Sequence, residues 1–434
     1  MRCVSLSLLL FLFCPGAVSA QTDTISLEQA LQRGQSGRPE LRSAALQVRL
    51  AENRNAGLRA QWRPQVQASG DFRVNTQLQK SVIPVGAFGL PGVPADATRT
   101  VAFGVPFQNL AALDVSQKIY DARHALDRQL NDAGTQARQL EREQAERDIR
   151  RAITEAYYDL MWQNEKVRYA QAALQRAETA VEYETARKNN GAARPNDYNR
   201  ALLDRNTAEL NRVQAVRGFE DSADYLKYLM ADTSQNRVYP AETLEAFAAG
   251  LEKQPRAAGE NRLELRLEEN ARQQNALLER RERLRFRPEV SAFGNYSVLA
   301  LDDQLSTFNY LGLRATLPLY DGRLARLAAE DYRLQQQINV ANLDKLRNDI
   351  RYDLASSERA LASCSDQARA CAQNVALARQ IFENSQNAFQ GGAIVLNDLK
   401  TDELALQAAE LRYLECLRDW MLAAFAYGKA QGIR

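Results

Sequence analysis

The chain has 434 residues, of which 45% are hydrophobic, and its 56 basic and 54 acidic side chains give a formal net charge of +2. These charges are mixed along the chain instead of clustered, so no nucleic-acid partner is expected. One histidine, no phosphate-binding Gly-Lys-Ser/Thr loop and no nucleophile motif offer no support for an enzyme. One histidine and four methionines also supply few soft-metal ligands, and we expect no cofactor.

The first 20 residues have the pattern of a secretory signal peptide. Arg2 precedes the apolar stretch 6–13, and Val18-Ser19-Ala20 provides a small-x-small cleavage site. The mature chain is therefore expected to begin at Gln21 and to leave the cytoplasm. No later segment reaches the roughly 18 apolar residues of a membrane-spanning helix, so strands would have to cross any membrane.

Two strands are predicted in the first half, over residues 64–80 and 108–120. From 65 to 79 the sequence alternates with a period of two between an apolar and a polar face. The apolar face consists of Val66, Ala68, Gly70, Phe72, Val74, Thr76 and Leu78. Such alternation in an exported chain favours a membrane barrel with lipid on one side and a wet lumen on the other. The segment 81–107, rich in proline and glycine, is predicted to be a long loop.

Helices of unusual length follow the strands. Residues 122–190 contain a single glycine, Gly134, and no proline, which predicts one long helix that returns after Gly191 and Pro195. A helical hairpin is thus expected over 121–231, and a shorter helix over 40–62 leads into the first strand. Residues 232–259 are expected to form an irregular linker around the equator of the assembly.

The second half repeats the first. Arg63-Pro64 returns as Arg287-Pro288, 224 residues later, and Tyr120-Asp121 returns as Tyr320-Asp321, 200 residues later. The slip of 24 residues falls in the predicted loop 81–107. Two structural repeats, 21–231 and 260–434, are therefore predicted, the second with a helix over 264–286, strands over 288–300 and 308–320 and a helical hairpin over 321–428. The fold class is mainly α with a membrane β-barrel portion.

Four strands in one chain are too few to enclose a barrel, for which about eight are needed. Open strand edges are not tolerated in lipid, so several chains must share one barrel. Three chains would supply twelve strands, and we expect a homotrimer.

Three cysteines remain in the mature chain: Cys364, Cys371 and Cys416. Cys364 and Cys371 are about 10 Å apart along one predicted helix, too far for a disulfide. Buried thiols are the default interpretation. A bond from Cys364 to Cys416 across a helical hairpin is the pairing to test.

Several motifs occur in the same order in both halves. They are Arg-Pro-x-Val-x-Ala before a strand at Arg63 and Arg287, Tyr-Asp before a long helix at Tyr120 and Tyr320, and Gly-x5-Asp at the hairpin tips. In the second half the Tyr-Asp pair lies within Leu-Pro-Leu-Tyr-Asp-Gly at 317–322. Together with the signal peptide they resemble the TolC-like outer-membrane efflux proteins. The resemblance implies a homotrimeric, twelve-stranded barrel in outer-membrane lipid, continued by an α-helical tunnel through the periplasm. It also implies docking to a periplasmic adaptor and an inner-membrane pump, for which the chain is the passive exit duct.

The same resemblance suggests two kinds of site at the hairpin tips. Asp398, six residues after Gly392, matches the acidic ring that narrows the tunnel entrance in the family, while Thr401 stands where a second acidic residue is found and Asp402 lies beside it. Asp197 is the first-half equivalent of Asp398. The expected adaptor-docking residues are Asn190, Gly191, Ala192, Gly391, Gly392 and Ala393.

Two alternatives remain open. A duct of type I protein secretion has the same sequence features as an efflux duct. A periplasmic adaptor or structural protein of helical hairpins, without a membrane barrel, is the alternative from another class.

Overall fold

The computed structural model describes residues 22–84, 94, 97–191, 195–234, 236–251, 262–301 and 304–432. The predicted signal peptide and Ala192 lie outside the described residues. The helices are α1 Leu27–Gly37, α2 Pro39–Ala60, α3 His124–Asn189, α4 Pro195–Met230, α5 Leu244–Leu251, α6 Leu263–Arg283, α7 Leu324–Gln390 and α8 Leu396–Ala430. The strands are β1 Thr22–Ile25, β2 Gln65–Val74, β3 Gln79–Ile83, β4 Arg99–Phe103, β5 Phe107–Asp121, β6 Arg237–Pro240, β7 Glu289–Leu301 and β8 Gln304–Thr316.

Each main element of the first half has a counterpart of similar length in the second. Helices α3 and α7 have 66 and 67 residues, α4 and α8 have 36 and 35, and α2 and α6 have 22 and 21. The predicted long helices are therefore confirmed. Exposed ion pairs one turn apart support them, such as Arg142 with Glu146 and Arg151 with Glu155, each contributing roughly 0.3–0.5 kcal/mol.

The repeated Tyr-Asp-x-Arg sequence forms the turn from strand to long helix in both halves. The Asp121 carboxylate accepts a hydrogen bond from the Arg123 amide at 2.9 Å. In the second half, the Asp321 carboxylate accepts bonds from the amides of Arg323 at 3.1 Å and Ala325 at 2.9 Å. Side-chain acceptors of this kind satisfy amides that a helix start leaves without partners.

The chain divides into two compact units. One comprises residues 45–141 and 264–345 and contains a four-stranded antiparallel sheet in the order β2-β5-β7-β8. Its register places apolar residues in rows across the strands, for example Val66 opposite Val115, and Gly294 opposite both Val115 and Leu311. The apolar face is exposed: Phe72 is 73% exposed and Leu311 87%.

The structure corrects the ends of two predicted strands. β2 ends at Val74 because Asn75 turns the chain: its amide donates to the Pro106 carbonyl at 2.8 Å and its side chain donates to the Val105 carbonyl at 2.8 Å. The residues predicted to extend this strand instead lead into β3, which pairs with β4. The predicted loop 81–107 therefore contains a β-hairpin at its base. The last strand, expected over 308–320, runs from Gln304 to Thr316.

The other unit comprises residues 22–44, 142–263 and 346–432 of the described chain and contains a helical core. Ile153, Leu160, Leu226 and Met421 are buried in this core. The parallel pair β1 and β6 lies against it, and the Tyr157 hydroxyl donates to the Ile25 carbonyl at 3.0 Å. The linker predicted to be irregular over 232–259 contains β6 and α5.

No helix among the described residues combines the length and apolar character needed to span a membrane.

Candidate functional site

The turn of the second hairpin follows α7. The Gly392 amide donates to the Phe389 carbonyl at 3.0 Å and the Ala393 amide donates to the Ala388 carbonyl at 2.8 Å. These two bonds with a left-handed residue between them form a Schellman motif, and Gly392 has the required positive φ of 73°. The sequence Gly391-Gly392 thus ends the helix for a stereochemical reason.

The turn of the first hairpin begins in the same way. The Gly191 amide donates to the Lys188 carbonyl at 3.1 Å, and Gly191 has a φ of 70°. The Lys188 ammonium lies 4.2 Å from the centroid of the Tyr198 ring. This contact connects the end of α3 to the start of α4. Asn190, Gly191 and the second-hairpin residues 391–393 are all exposed.

The two hairpin tips contact each other near these turns. The ring centroids of Tyr183 on α3 and Phe389 on α7 are 5.0 Å apart, and Phe389 is buried. Aromatic pairs at this separation contribute roughly 0.5–1.5 kcal/mol beyond the area they bury. The tips of one chain are therefore held side by side.

The two acidic residues proposed for a constriction differ in their surroundings. Asp398 lies in the first turn of α8, is exposed and has no ion-pair partner among the described residues. Asp402, one turn later, is half-buried and accepts a hydrogen bond from the Ser385 hydroxyl of α7. Asp398 is thus free to face a neighbouring chain or an axis, whereas Asp402 already has a partner in its own hairpin.

A charge network that the sequence did not reveal connects the two hairpins above the tips. The Arg176 guanidinium on α3 lies 3.5 Å from the Glu403 carboxylate and 3.8 Å from the Glu410 carboxylate on α8. Both glutamates are buried, and the Arg176 Nε and Nη2 atoms are buried without a hydrogen bond in the described chain. Lys400 adds a second connection, at 3.4 Å from Asp204 of α4 and 3.1 Å from Glu403.

One sequence signal for this network existed. Glu403 and Glu410 are seven residues apart, which places them on one face of α8, and Lys400 precedes Glu403 by three residues. The same spacing occurs in many solvated helices, so burial could be recognised only once the opposite helix was placed.

The hairpin tips combine exposed turns with one exposed carboxylate, that of Asp398. Among the residues that the structure describes, no group of three or more histidine, cysteine, aspartate or glutamate side chains is placed to hold a metal ion. Exposed turns offer backbone and small side chains for contact with a partner, and the Asp398 carboxylate offers negative charge to cations.

Comparison with known proteins identifies the fold. No protein-family profile and no curated protein sequence matches the chain. Solved structures do match: the CmeC outer membrane channel of Campylobacter jejuni, at a TM-score of 0.74 and 15% identity, over 94% of this chain and 85% of that one. The outer membrane protein VceC of Vibrio cholerae matches at a TM-score of 0.70 and 15% identity, over 94% and 96%.

The MtrE outer membrane channel of Neisseria gonorrhoeae, in its open state, matches at a TM-score of 0.71 and 16% identity, over 94% of this chain and 88% of that one. At these identities the likeness concerns the fold. The chain has the fold of the TolC-like outer-membrane channels, as its sequence motifs predicted.

Proposed function

We propose that the chain is one subunit of a homotrimeric outer-membrane exit duct, which passively conducts substrates from an inner-membrane transporter and its periplasmic adaptor to the outside. One observation carries this proposal: a four-stranded sheet with an exposed apolar face is joined directly to two long helical hairpins. The function of the structural neighbours agrees with it.

The sheet supports both the membrane location and the assembly. In the described chain β2 and β8 are its edge strands, and their outer edges have no partner strand. Unpaired edges are not viable in lipid, so β8 of one chain would pair with β2 of the next. Three sheets joined in this way give a closed barrel of twelve strands. The apolar face that includes Phe72 and Leu311 would then face lipid.

The hairpins would extend into the periplasm and carry the contacts with the pump. Asn190 and Gly191, with Gly391, Gly392 and Ala393, are exposed at the helix ends and would dock the adaptor, together with Ala192. Asp398 would form a ring of three carboxylates at the tunnel entrance. Three carboxylates near one axis attract cations, so the ring would pass cations in preference to anions. Asp402 would contribute less because Ser385 already binds it.

Two alternatives compete with efflux. A duct for type I protein secretion fits the same fold, and co-purification of the native adaptor and pump would separate the two. A periplasmic adaptor without a barrel would not need the exposed apolar sheet. Cell fractionation distinguishes it, because an adaptor of that kind would be recovered without the outer membrane.

Single-channel recording in planar bilayers tests the duct and its constriction together. The purified protein should give discrete conductance steps, and Asp398→Ala should lower cation selectivity and weaken block by multivalent cations. Asp197→Ala, at the same place in the first hairpin, is the matched control and should change either property less. Absence of conductance steps would contradict the duct. Unchanged selectivity and block in Asp398→Ala and in the double variant with Asp402→Ala would place the constriction elsewhere.

A further inference from the structure

A groove lies where the four-stranded sheet joins the helices that precede and follow its strands. Its volume is about 470 Å³, and its walls combine aromatic, apolar and charged side chains, among them Trp62, Ile119, Tyr120, His124, Leu284 and Arg287. All of these residues belong to the same compact unit as the sheet. The volume is in the range of small-ligand sites in proteins, so the groove has room for one polar group of a larger ligand.

Arg287 supplies this groove with a cation that has no partner. It is exposed, and in the part of the chain that the structure describes its side chain makes no ion pair and no hydrogen bond. The acidic residue of the groove, Asp121, is already compensated, because Arg123 lies 3.1 Å from it. Glu289 nearby lies 3.6 Å from Arg123 and 3.7 Å from Lys118. The charge left over at this site is therefore positive.

The groove lies at one end of the apolar face of the sheet. Strand β5 ends where β7 begins, since Asp121 is the partner of Glu289. Regular alternation from Val115 would turn Tyr120 to the polar face, but a register shift after Lys118 makes Tyr120 the partner of Val290 on the apolar face. Tyr120 is 48% exposed. A bulge in the strand thus keeps an exposed tyrosine at the end of the face proposed to contact lipid.

Aromatic rings form one wall of the groove. The ring centroids of Trp62 and His124 are 4.0 Å apart, and Tyr120 adds a third ring. Tryptophan and tyrosine are the residues enriched at the headgroup level of membrane proteins, barrels included. The indole and the imidazole both carry N–H donors. Rings with such donors beside an unpaired guanidinium fit an anionic group at a membrane surface.

We propose that this groove binds the phosphate group of an anionic glycerophospholipid, with phosphatidylglycerol as the test case, in the leaflet nearer the helices. The Arg287 guanidinium would donate to two phosphate oxygens. The acyl chains would continue past Ile119 and Tyr120 along the apolar face. A lipid of net negative charge is favoured because the nearby acids are paired and leave no anion for the ammonium of a zwitterionic headgroup. The proposal rests on the proposed function, since the sheet must lie in a membrane.

Closure of the proposed barrel would leave the groove open to lipid. Copies of the chain would pair through the edge strands β2 and β8, whereas the groove lies at the end of β5 and the start of β7, the two inner strands. The internal repeat adds a second cation at the same end of the sheet. Arg63 precedes β2 as Arg287 precedes β7, both strands run antiparallel to β5, and Arg63 is also exposed without a charged partner in the described residues. A positive rim of this kind attracts anionic lipid.

Lipid titration of the assembled protein tests the proposal. Protein extracted from membranes in mild detergent and stripped of lipid is titrated with phosphatidylglycerol, and native mass spectrometry counts the bound lipid. Arg287→Gln should weaken binding about fivefold, the effect of one arginine near a membrane surface. Arg287→Lys, which keeps the charge and loses the paired donors, should weaken binding less.

Arg49→Gln is the matched control. Arg49 is exposed and has no ion pair among the described residues, and it lies about 16 Å before the end of α2, so the same loss of charge should leave lipid binding unchanged. In the unaltered protein, phosphatidylethanolamine with the same acyl chains should bind more weakly than phosphatidylglycerol, and inorganic phosphate should not displace the lipid. These two measurements need no variant.

Three outcomes would overturn this proposal alone: equal affinity of Arg287→Gln and Arg49→Gln for phosphatidylglycerol, equal affinity of the unaltered protein for the two lipids, or displacement by inorganic phosphate. The duct proposal would stand in each case, because the mass of the assembly in the same spectra reports it separately. Recovery of the protein outside the membrane, or as a folded monomer, would overturn both proposals.

Discussion

The four-stranded sheet and the helical core place their apolar and charged side chains in opposite ways. In the sheet, large apolar residues such as Phe72 and Leu311 are exposed on one face. In the helical core, charged residues such as Glu403 and Glu410 are buried, and the partner of both is Arg176 on another helix. Both features oppose the usual distribution in a water-soluble domain.

The difference shows which partner each region needs. An apolar face of this extent requires a covering that the described part of the chain does not provide, and lipid is the proposed covering. The buried charges of the helical core, in contrast, find their counter-charges within the same chain. A substitution in the sheet should therefore change how its apolar face interacts with lipid, whereas a substitution in the core should change ion pairs within the chain.

The largest effect is expected from Arg176→Met. Removal of one partner of a buried ion pair costs roughly 3–5 kcal/mol where it leaves the other charge without compensation. A value near 3 kcal/mol is expected here, because Glu403 keeps Lys400 and Glu410 keeps Arg379 at 3.5 Å. Hydrogen exchange of the α8 amides, which reports local opening, would measure it.

Arg151→Met is the matched control for Arg176→Met on the same helix. The pair of Arg151 with Glu155 is exposed, at 48% and 42%, so its loss should change α8 protection by less than about 0.5 kcal/mol. Equal hydrogen-exchange protection of the α8 amides in the two variants would show that the buried ion pairs of Arg176 do not stabilise α8 more than an exposed pair does.

An arginine on the apolar face of the sheet should have the next largest effect. Phe72→Arg would place a charge in hydrocarbon and cost about 2–4 kcal/mol near the bilayer midplane. Ser69→Arg, on the opposite face of the same strand, should be tolerated because that face would line a wet lumen. Yield of folded protein in the outer membrane reports the difference. Equal yields would contradict the lipid-facing assignment.

A smaller loss of stability is expected at the second hairpin turn, which involves neither the lipid-facing sheet nor the buried ion pairs. Gly392→Ala should destabilise the hairpin tip by about 1–2 kcal/mol, since an L-residue disfavours the φ of 73° although a Cβ there meets open space. Gly391→Ala is the control, because its Cβ makes only ordinary contacts at 3.6 Å. Protease cleavage at the tip under native conditions compares them, and equal cleavage would exclude a stereochemical role for Gly392.

The sequence predicted the elements that depend on local pattern. The run 122–190, with one glycine and no proline, predicted α3 nearly to the residue, and period-two alternation predicted strands of the main sheet. The alternation past Val74 was misleading because it continues across the bend at Asn75. Helix α1 was not predicted, although the capping box of Ser26 and Gln29 marks its start in the sequence.

What the sequence could not supply is the register between distant helices. Which cation lies beside Glu403 and Glu410 depends on how α3 is placed against α8. A shift of one helical turn would replace every such contact. The different surroundings of Asp398 and Asp402 were likewise not visible in the sequence: Asp402 binds Ser385 and is half-buried, whereas Asp398 is exposed.

The central claim is that the unpaired edges of the sheet are completed by other copies of the chain. The mass of the protein extracted from membranes in mild detergent, measured by native mass spectrometry, tests this most directly. Three chains per particle, dissociating only with loss of strand structure, are expected. A stable folded monomer in detergent would contradict the shared barrel, and with it the proposed duct.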